Sequence, residues 1–273
     1  MQDTLSPARR PNCVTTSPAG YHRRVAWPVA VALVAAAVGA ACSTASAPTA
    51  PSPSAVTVAA VPEPPPPPPA PSPPDPPPAP TSVRYRVVFE GLWSQSTHPL
   101  DYPGNPHFSP LIGGTHSGAV QFWADGGIAS DGIKRMAEQG FTTPLDAHFN
   151  DAIAAGTARA LILGGRIPLS PTSVAVEFDA HQSHPLLTLV SMVAPSPDWF
   201  VGIAGLPLFT DGQWVDTVVL DLRPWDAGTD GGRSYESPDA PLNPRQPIAR
   251  LTSVPVAVNG VATPMARFTI TRL

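Results

Sequence analysis

Apolar and polar positions alternate over several short stretches of the chain. In Arg84-Tyr85-Arg86-Val87-Val88-Phe89-Glu90-Gly91-Leu92-Trp93, aromatic and β-branched residues recur at every second place. That period puts one set of side chains on one face of a strand. Ser173 to Phe178, Leu186 to Met192, Val215 to Leu222 and Ala266 to Thr271 read the same way. Shorter strand candidates lie at Phe200 to Ile203 and at Ile248 to Val254. Two segments have helical spacing instead. Ser130 to Gln139 places Ile133, Met136 and Ala137 on one face, and Thr143-Pro144-Leu145-Asp146 opens a second helix that stops at Gly156. Strands dominate and do not alternate regularly with helices. The pattern therefore predicts an all-β, antiparallel two-sheet sandwich with short helical insertions rather than a βαβ fold.

Proline divides the 273-residue chain. Of its 39 prolines, 17 fall between residues 48 and 80. A residue with no N–H and a fixed φ excludes both helix and sheet there, so the chain is not one uniform domain. Residues 43–82 read as an extended polyproline II spacer, and residues 83–273 as the one folded domain. Ahead of the spacer, Arg9, Arg10, Arg23 and Arg24 precede an apolar run from Val25 to Ala41. Basic, then apolar, then small residues is the order of a secretory signal, so residues 1–42 read as an export segment. Gly39-Ala40-Ala41-Cys42-Ser43 resembles a bacterial lipoprotein processing site, with Gly39 where that family carries Leu. The resemblance implies lipidation of Cys42 and a domain held at the cell envelope. Plain secretion and an uncleaved anchor are the other readings of the segment.

Charge and cysteine narrow the chemistry. From Val83 onward there are 12 Lys and Arg against 17 Asp and Glu, with no basic run, so no nucleic-acid surface is expected. Cys13 and Cys42 are the only cysteines, so the folded domain has no disulfide. The most specific candidates are two Asp-bearing loops, each following a strand: Pro195-Ser196-Pro197-Asp198-Trp199 and Pro224-Trp225-Asp226-Ala227-Gly228-Thr229-Asp230-Gly231-Gly232. Carboxylates of Asp198, Asp226 and Asp230 converging at neighbouring strand ends would repel unless a cation sat between them. Hard oxygen donors in a loop suit Ca²⁺ better than Zn²⁺ or Mg²⁺. The plain alternative is that Asp and Gly are ordinary turn residues. His98, His107 and His116 stand at spacings unlike a zinc motif, and Pro185 breaks any helix aligning His181 with His184. No nucleophile elbow and no phosphate loop occur. Trp93, Trp123, Trp199, Trp214 and Trp225 read as packing residues, with a glycan-binding surface cluster as the alternative.

Long strings then match a family. Tyr85 to Ser94, Thr97-His98-Pro99, His107 to Gly113, Thr115-His116-Ser117, Val190 to Gly202 and Asp221 to Asp230 resemble, in order, the spondin domain of F-spondin and mindin. The resemblance implies a sandwich of about eight antiparallel strands. It also implies a calcium site, with Asp198, Asp226 and Asp230 at the positions of the family's ligand aspartates. Animal members carry disulfides that this domain lacks, and their partners are not carried over. The expectation is an exported, non-catalytic calcium-binding protein that adheres to or binds an extracellular or envelope component, protein or glycan. An exported metal-dependent hydrolase and an envelope structural protein are the alternatives.

Overall fold

The computed structural model describes residues 78–258 and 260–273. The export segment, Cys42 and all of the spacer before residue 78 lie outside them. Eight strands have five or more residues: β1 Ser82–Gly91, β2 Ile112–His116, β3 Ala158–Leu163, β4 Ser173–His181, β5 Leu186–Ala194, β6 Trp199–Pro207, β7 Thr217–Leu222 and β8 Ala266–Arg272. They form two antiparallel sheets, in the order β7-β8-β1-β4 and β6-β5-β2-β3. Beyond β6 the second sheet gains Trp225–Asp226 and then Ala249–Arg250. His107–Phe108 pairs with the end of β5. The all-β sandwich read from the sequence is therefore the fold.

β1 shows why the alternation works. Tyr85, Val87 and Phe89 are buried, while Arg84, Arg86 and Glu90 are exposed. The register sets Val87 opposite Ile270 and Phe89 opposite Phe268. Those side chains meet Leu187, Leu189 and Val193 of β5 and Val201 of β6 in one core between the sheets. β5 is buried along nearly its whole length. Its other face, Val190, Met192 and Ala194, packs on two helices, α1 Asp131–Gln139 and α2 Leu145–Ala154, through Ile133, Met136 and Phe149. A strand covered on both faces loses its alternation and reads as a continuous apolar run, as LLTLVSM does. Among the described residues, no helix is long and apolar enough to cross a membrane.

Several boundaries differ from the sequence reading. The pattern missed β2, because Gly113-Gly114 carries no strand signal. A Cβ on Gly113 would lie 1.9 Å from the Thr188 carbonyl oxygen, so the neighbouring strand's approach demands glycine there. β3 was also missed. Of Ile248 to Val254, only Ala249–Arg250 pairs, because its partner strand is itself two residues long. Ser130 caps α1, its Oγ accepting from the Ile133 amide at 3.2 Å. α2 begins at Leu145 without a side-chain cap. Thr143 Oγ1 instead donates to Asp146 Oδ2 at 2.7 Å. Residues just before β1 have contacts with the sandwich. Trp214 Nε1 donates to the Pro80 carbonyl at 2.6 Å and Gln182 Nε2 to that of Ala79 at 3.2 Å, so these residues already pack on the sandwich.

Phe89 sits between Phe108 and Phe268, each ring centroid 5.3 Å away. Phe89→Ala is expected to lower stability by about 3–5 kcal/mol in urea unfolding. The exposed Val219 on the outer face supplies the control, Val219→Ala, which is expected to stay within ~0.5 kcal/mol of wild type.

Candidate metal centre

The turn between β5 and β6 is built by Ser196. Its Oγ donates to the Val193 carbonyl at 2.5 Å and accepts from the Trp199 amide at 3.0 Å. This closes the turn and carries Asp198 into the protein, where it is 0% exposed. Pairing of the next strand segment sets Asp226 opposite Trp199, and the Ala227 amide donates to the Asp198 backbone carbonyl at 3.2 Å. The two Asp-bearing loops expected from the sequence are therefore neighbours.

Asp198 ties them together. Its Oδ2 accepts from the Thr229 amide at 2.7 Å, the Asp230 amide at 3.0 Å and the Thr229 hydroxyl at 3.2 Å. Its Oδ1 is buried and has no partner. Asp226 Oδ1 accepts from the Gly228 amide at 2.7 Å. Asp230, 6% exposed, uses both oxygens, Oδ1 accepting from Gly232 and Oδ2 from Ala240, each at 2.7 Å. Gly228 has φ of 71°, and a Cβ there would stand 2.1 Å from the Gln246 carbonyl oxygen. Only glycine lets this loop turn its amide onto Asp226 under the passing strand.

Electrostatics follow from that packing. Burial pushes the Asp198 carboxyl up to about 7, the Asp226 carboxylate adds to the rise, and the bonds from Thr229 and Asp230 oppose it. Asp226 is raised too, first by burial and then by the Asp230 charge, against the Gly228 amide. So Asp198 and Asp226 feel each other, as do Asp226 and Asp230. Among the described residues, however, no three His, Cys, Asp or Glu side chains close on a single point as a metal cage. The test of fit is the Asp198 carboxylate. A buried, partnerless oxygen in the field of a second carboxylate is what a cation would satisfy. Asp226 and Asp230 also line a cavity of about 700 Å³ with Gly228, Gln246 and Arg250.

The histidines are elsewhere and engaged. His98 and His116 are buried, and burial lowers the pKa of both. His116 Nε2 lies 2.8 Å from Thr188 Oγ1, which accepts from the Gly205 amide at 2.9 Å. His181 and His184 each bond Ser183 Oγ through Nδ1 at 2.7 Å. The five tryptophans of the domain are all 7% exposed or less, so they pack and form no surface platform. Sequence reading missed the part played by Thr229, whose amide and hydroxyl both bind Asp198. It stood inside the matched string, but nothing in its spacing marked it as a donor to a residue 31 positions away.

Comparison with known proteins gives the family. The family model Spondin_N matches residues 83–259. Spondin-1 of Homo sapiens is 39% identical over 180 residues, 63% of this chain and 22% of that protein. Spondin-1 of Xenopus laevis is 38% identical over 205 residues, 70% of this chain and 25% of that protein. Spondin-2 of Homo sapiens is 32% identical over 177 residues, 62% of this chain and 53% of that protein. The chain thus spans about a quarter or less of the length of the Spondin-1 relatives and about half of Spondin-2. Residues 83–259 are well over half of this chain, and the chain belongs to the Spondin_N family.

Proposed function

We propose that this protein is an exported, calcium-binding, non-catalytic adhesion or binding module, held at the cell envelope by a lipid on Cys42. The observation that carries the calcium reading is the buried Asp198 Oδ1, partnerless beside Asp226. Asp198, Asp226 and Asp230 would hold the ion, and backbone carbonyls and water would complete its shell. Both oxygens of Asp230 already accept one amide each, and a carboxylate oxygen keeps a further lone pair after one such bond. Calcium supplies positive charge to a place where two carboxylates otherwise destabilise each other. Its effect on the fold is to hold the β5–β6 turn against the Asp226–Asp230 loop. Family membership supports a binding rather than a catalytic role, and the partner is an extracellular or envelope component.

Metal removal tests the site. The full chain is expected to melt higher in excess Ca²⁺ than in EDTA, and Asp226→Asn to lose most of that difference. An unchanged wild-type midpoint rejects the site, and zinc in the purified protein would point to the hydrolase instead.

A pH series tests the electrostatics. The raised carboxyl of Asp198 means the metal-free fold binds more protons than the unfolded chain. Its contribution to stability is present below the ordinary carboxylate range near ~4 and is lost as pH rises through about 7. Buried His98 and His116, with lowered pKa values, act in the opposite sense, stabilising as pH rises through their unfolded value. Comparison with Asp198→Asn cancels the histidines. In EDTA the wild type is expected to lose stability relative to Asp198→Asn as pH rises between ~4 and ~7, and in Ca²⁺ to regain it.

Anchoring is tested by fractionation of producing cells. The wild type is expected with the membranes and Cys42→Ser in the soluble or secreted fraction. Equal partitioning of the two rejects the lipid.

A further inference from the structure

Next to the acidic loops, two arginines line one cavity, neither of them in an ion pair among the described residues. Arg223 follows β7, and Arg250 lies in the short strand at the edge of the second sheet. Both line a cavity of about 280 Å³ with Leu251, Thr252, Val261 and Ala262. Each guanidinium is held from behind. Arg223 Nε donates to the Ala262 carbonyl at 2.9 Å. Arg250 Nη1 donates to the Arg223 carbonyl at 2.8 Å, and its guanidinium carbon sits 3.5 Å from the centre of the Trp225 ring. These contacts use one donor of each fork and fix its direction. Among the described residues, the other N–H groups of both have no protein acceptor.

Arg84, Arg245, Arg267 and Arg272 each have an Asp or Glu oxygen within ion-pair distance. Among the described residues Arg223 and Arg250 have none, nor do Arg86, Arg135, Arg159, Arg166 and Arg233; what distinguishes these two is that they share one cavity, in a domain with five more acidic than basic side chains. Asp125 lends Arg250 an attractive field, opposed by the Arg223 charge, and Asp221 and Arg223 attract each other, in neither case as an ion pair. Two cations held side by side are mutually destabilising, and an anion between them relieves that cost. One guanidinium matches a planar carboxylate, whereas two forks on one cavity present donors in more directions than a carboxylate has oxygens. A tetrahedral oxyanion accepts from both.

We infer that Arg223 and Arg250 form a binding site for a tetrahedral oxyanion, a sulfate or phosphate ester, seated in the cavity that they line. Neither arginine bonds an aspartate of the loops, and Arg250 lines the cavity of Asp226 and Asp230 as well as this one. It gives the domain a means of gripping a sulfated or phosphorylated surface group.

The test is titration of the full chain with inorganic sulfate, and separately phosphate, at constant ionic strength in EDTA, followed by NMR of the arginine Nε–H signals. Saturable shifts are expected for Arg223 and Arg250. Arg250→Gln and Arg223→Gln are each expected to weaken binding by roughly tenfold or more, the loss of a charge-assisted pair. Arg86→Gln, on the exposed face of β1, is expected to bind as wild type. Arg250→Gln also removes the stack on Trp225, so Arg223→Gln, which leaves that stack in place, is the deciding variant. Shifts that do not saturate, or wild-type affinity in Arg223→Gln, overturn the site. So does an equal loss in Arg86→Gln. A sulfated and a phosphorylated monosaccharide then separate the two sources. Saturable binding of either supports the site, and binding of neither overturns it.

Discussion

The buried carboxylate of Asp198 is the constraint on which this end of the sandwich depends. One oxygen gathers two amides and a hydroxyl from Thr229 and Asp230, and the other has no partner. A buried polar atom left alone costs about 1–3 kcal/mol, and more when charged. Asp226 raises that cost by its own charge. The arrangement near neutrality therefore needs a proton or a cation. Removing the acid is no remedy, since the three donors on Oδ2 would then lose their acceptor. The loop geometry around it is equally constrained, because Gly228 passes too close to the Gln246 carbonyl for any side chain.

The fold explains why this strain falls at the β5–β6 turn. β5 is gripped between the sandwich core and the helices, so the turn that follows starts from a fixed point. The segment paired to β6 is only Trp225–Asp226, after which the chain is free to fold back as a loop. A rigid strand end beside a short, easily turned segment lets backbone amides be aimed at one carboxylate. The same short segment separates two opposite chemistries. Arg223 precedes it and lines one cavity, Asp226 at its end and Asp230 beyond it line another, and Arg250 lines both. Trp225 holds Arg250 there, since the Arg250 guanidinium rests on its ring.

What could be read from the chain divides along physical lines. Tyr85, Val87 and Phe89 announced β1, because burial of one face is a local, period-two signal. The glycines of β2 announced nothing, because the need for them comes from the Thr188 carbonyl on another strand. Thr143 opens the second helix in the sequence, yet its hydroxyl donates to Asp146 and accepts from no amide of α2. In the site, Asp198, Asp226 and Asp230 were legible from turn chemistry and from the matched strings. Their inequality was not. Only the coordinates separate a buried, half-unsatisfied Asp198 from an Asp230 whose oxygens are both engaged. Arg223 and Arg250 were invisible as a pair, since β-strand pairing alone brings residues so far apart in the chain together.

Absence of cysteine after Cys42 gives the proposed calcium site its consequence for stability. A disulfide acts mainly on the unfolded chain, by removing its freedom, and acts at all calcium levels. A cation bound only by the folded state acts instead by mass action, adding RT ln(1 + [L]/Kd). The hydrogen bonds from Thr229 and Asp230 to Asp198 already span the same two loops, 31 and 32 residues apart in sequence. They bring the loops together without an ion but leave Asp198 Oδ1 uncompensated. An ion there would not create the contact; it would remove the penalty for ionising it. With calcium bound there, stability would follow the calcium and pH of the surroundings together, because proton and cation would compete for the same oxygen.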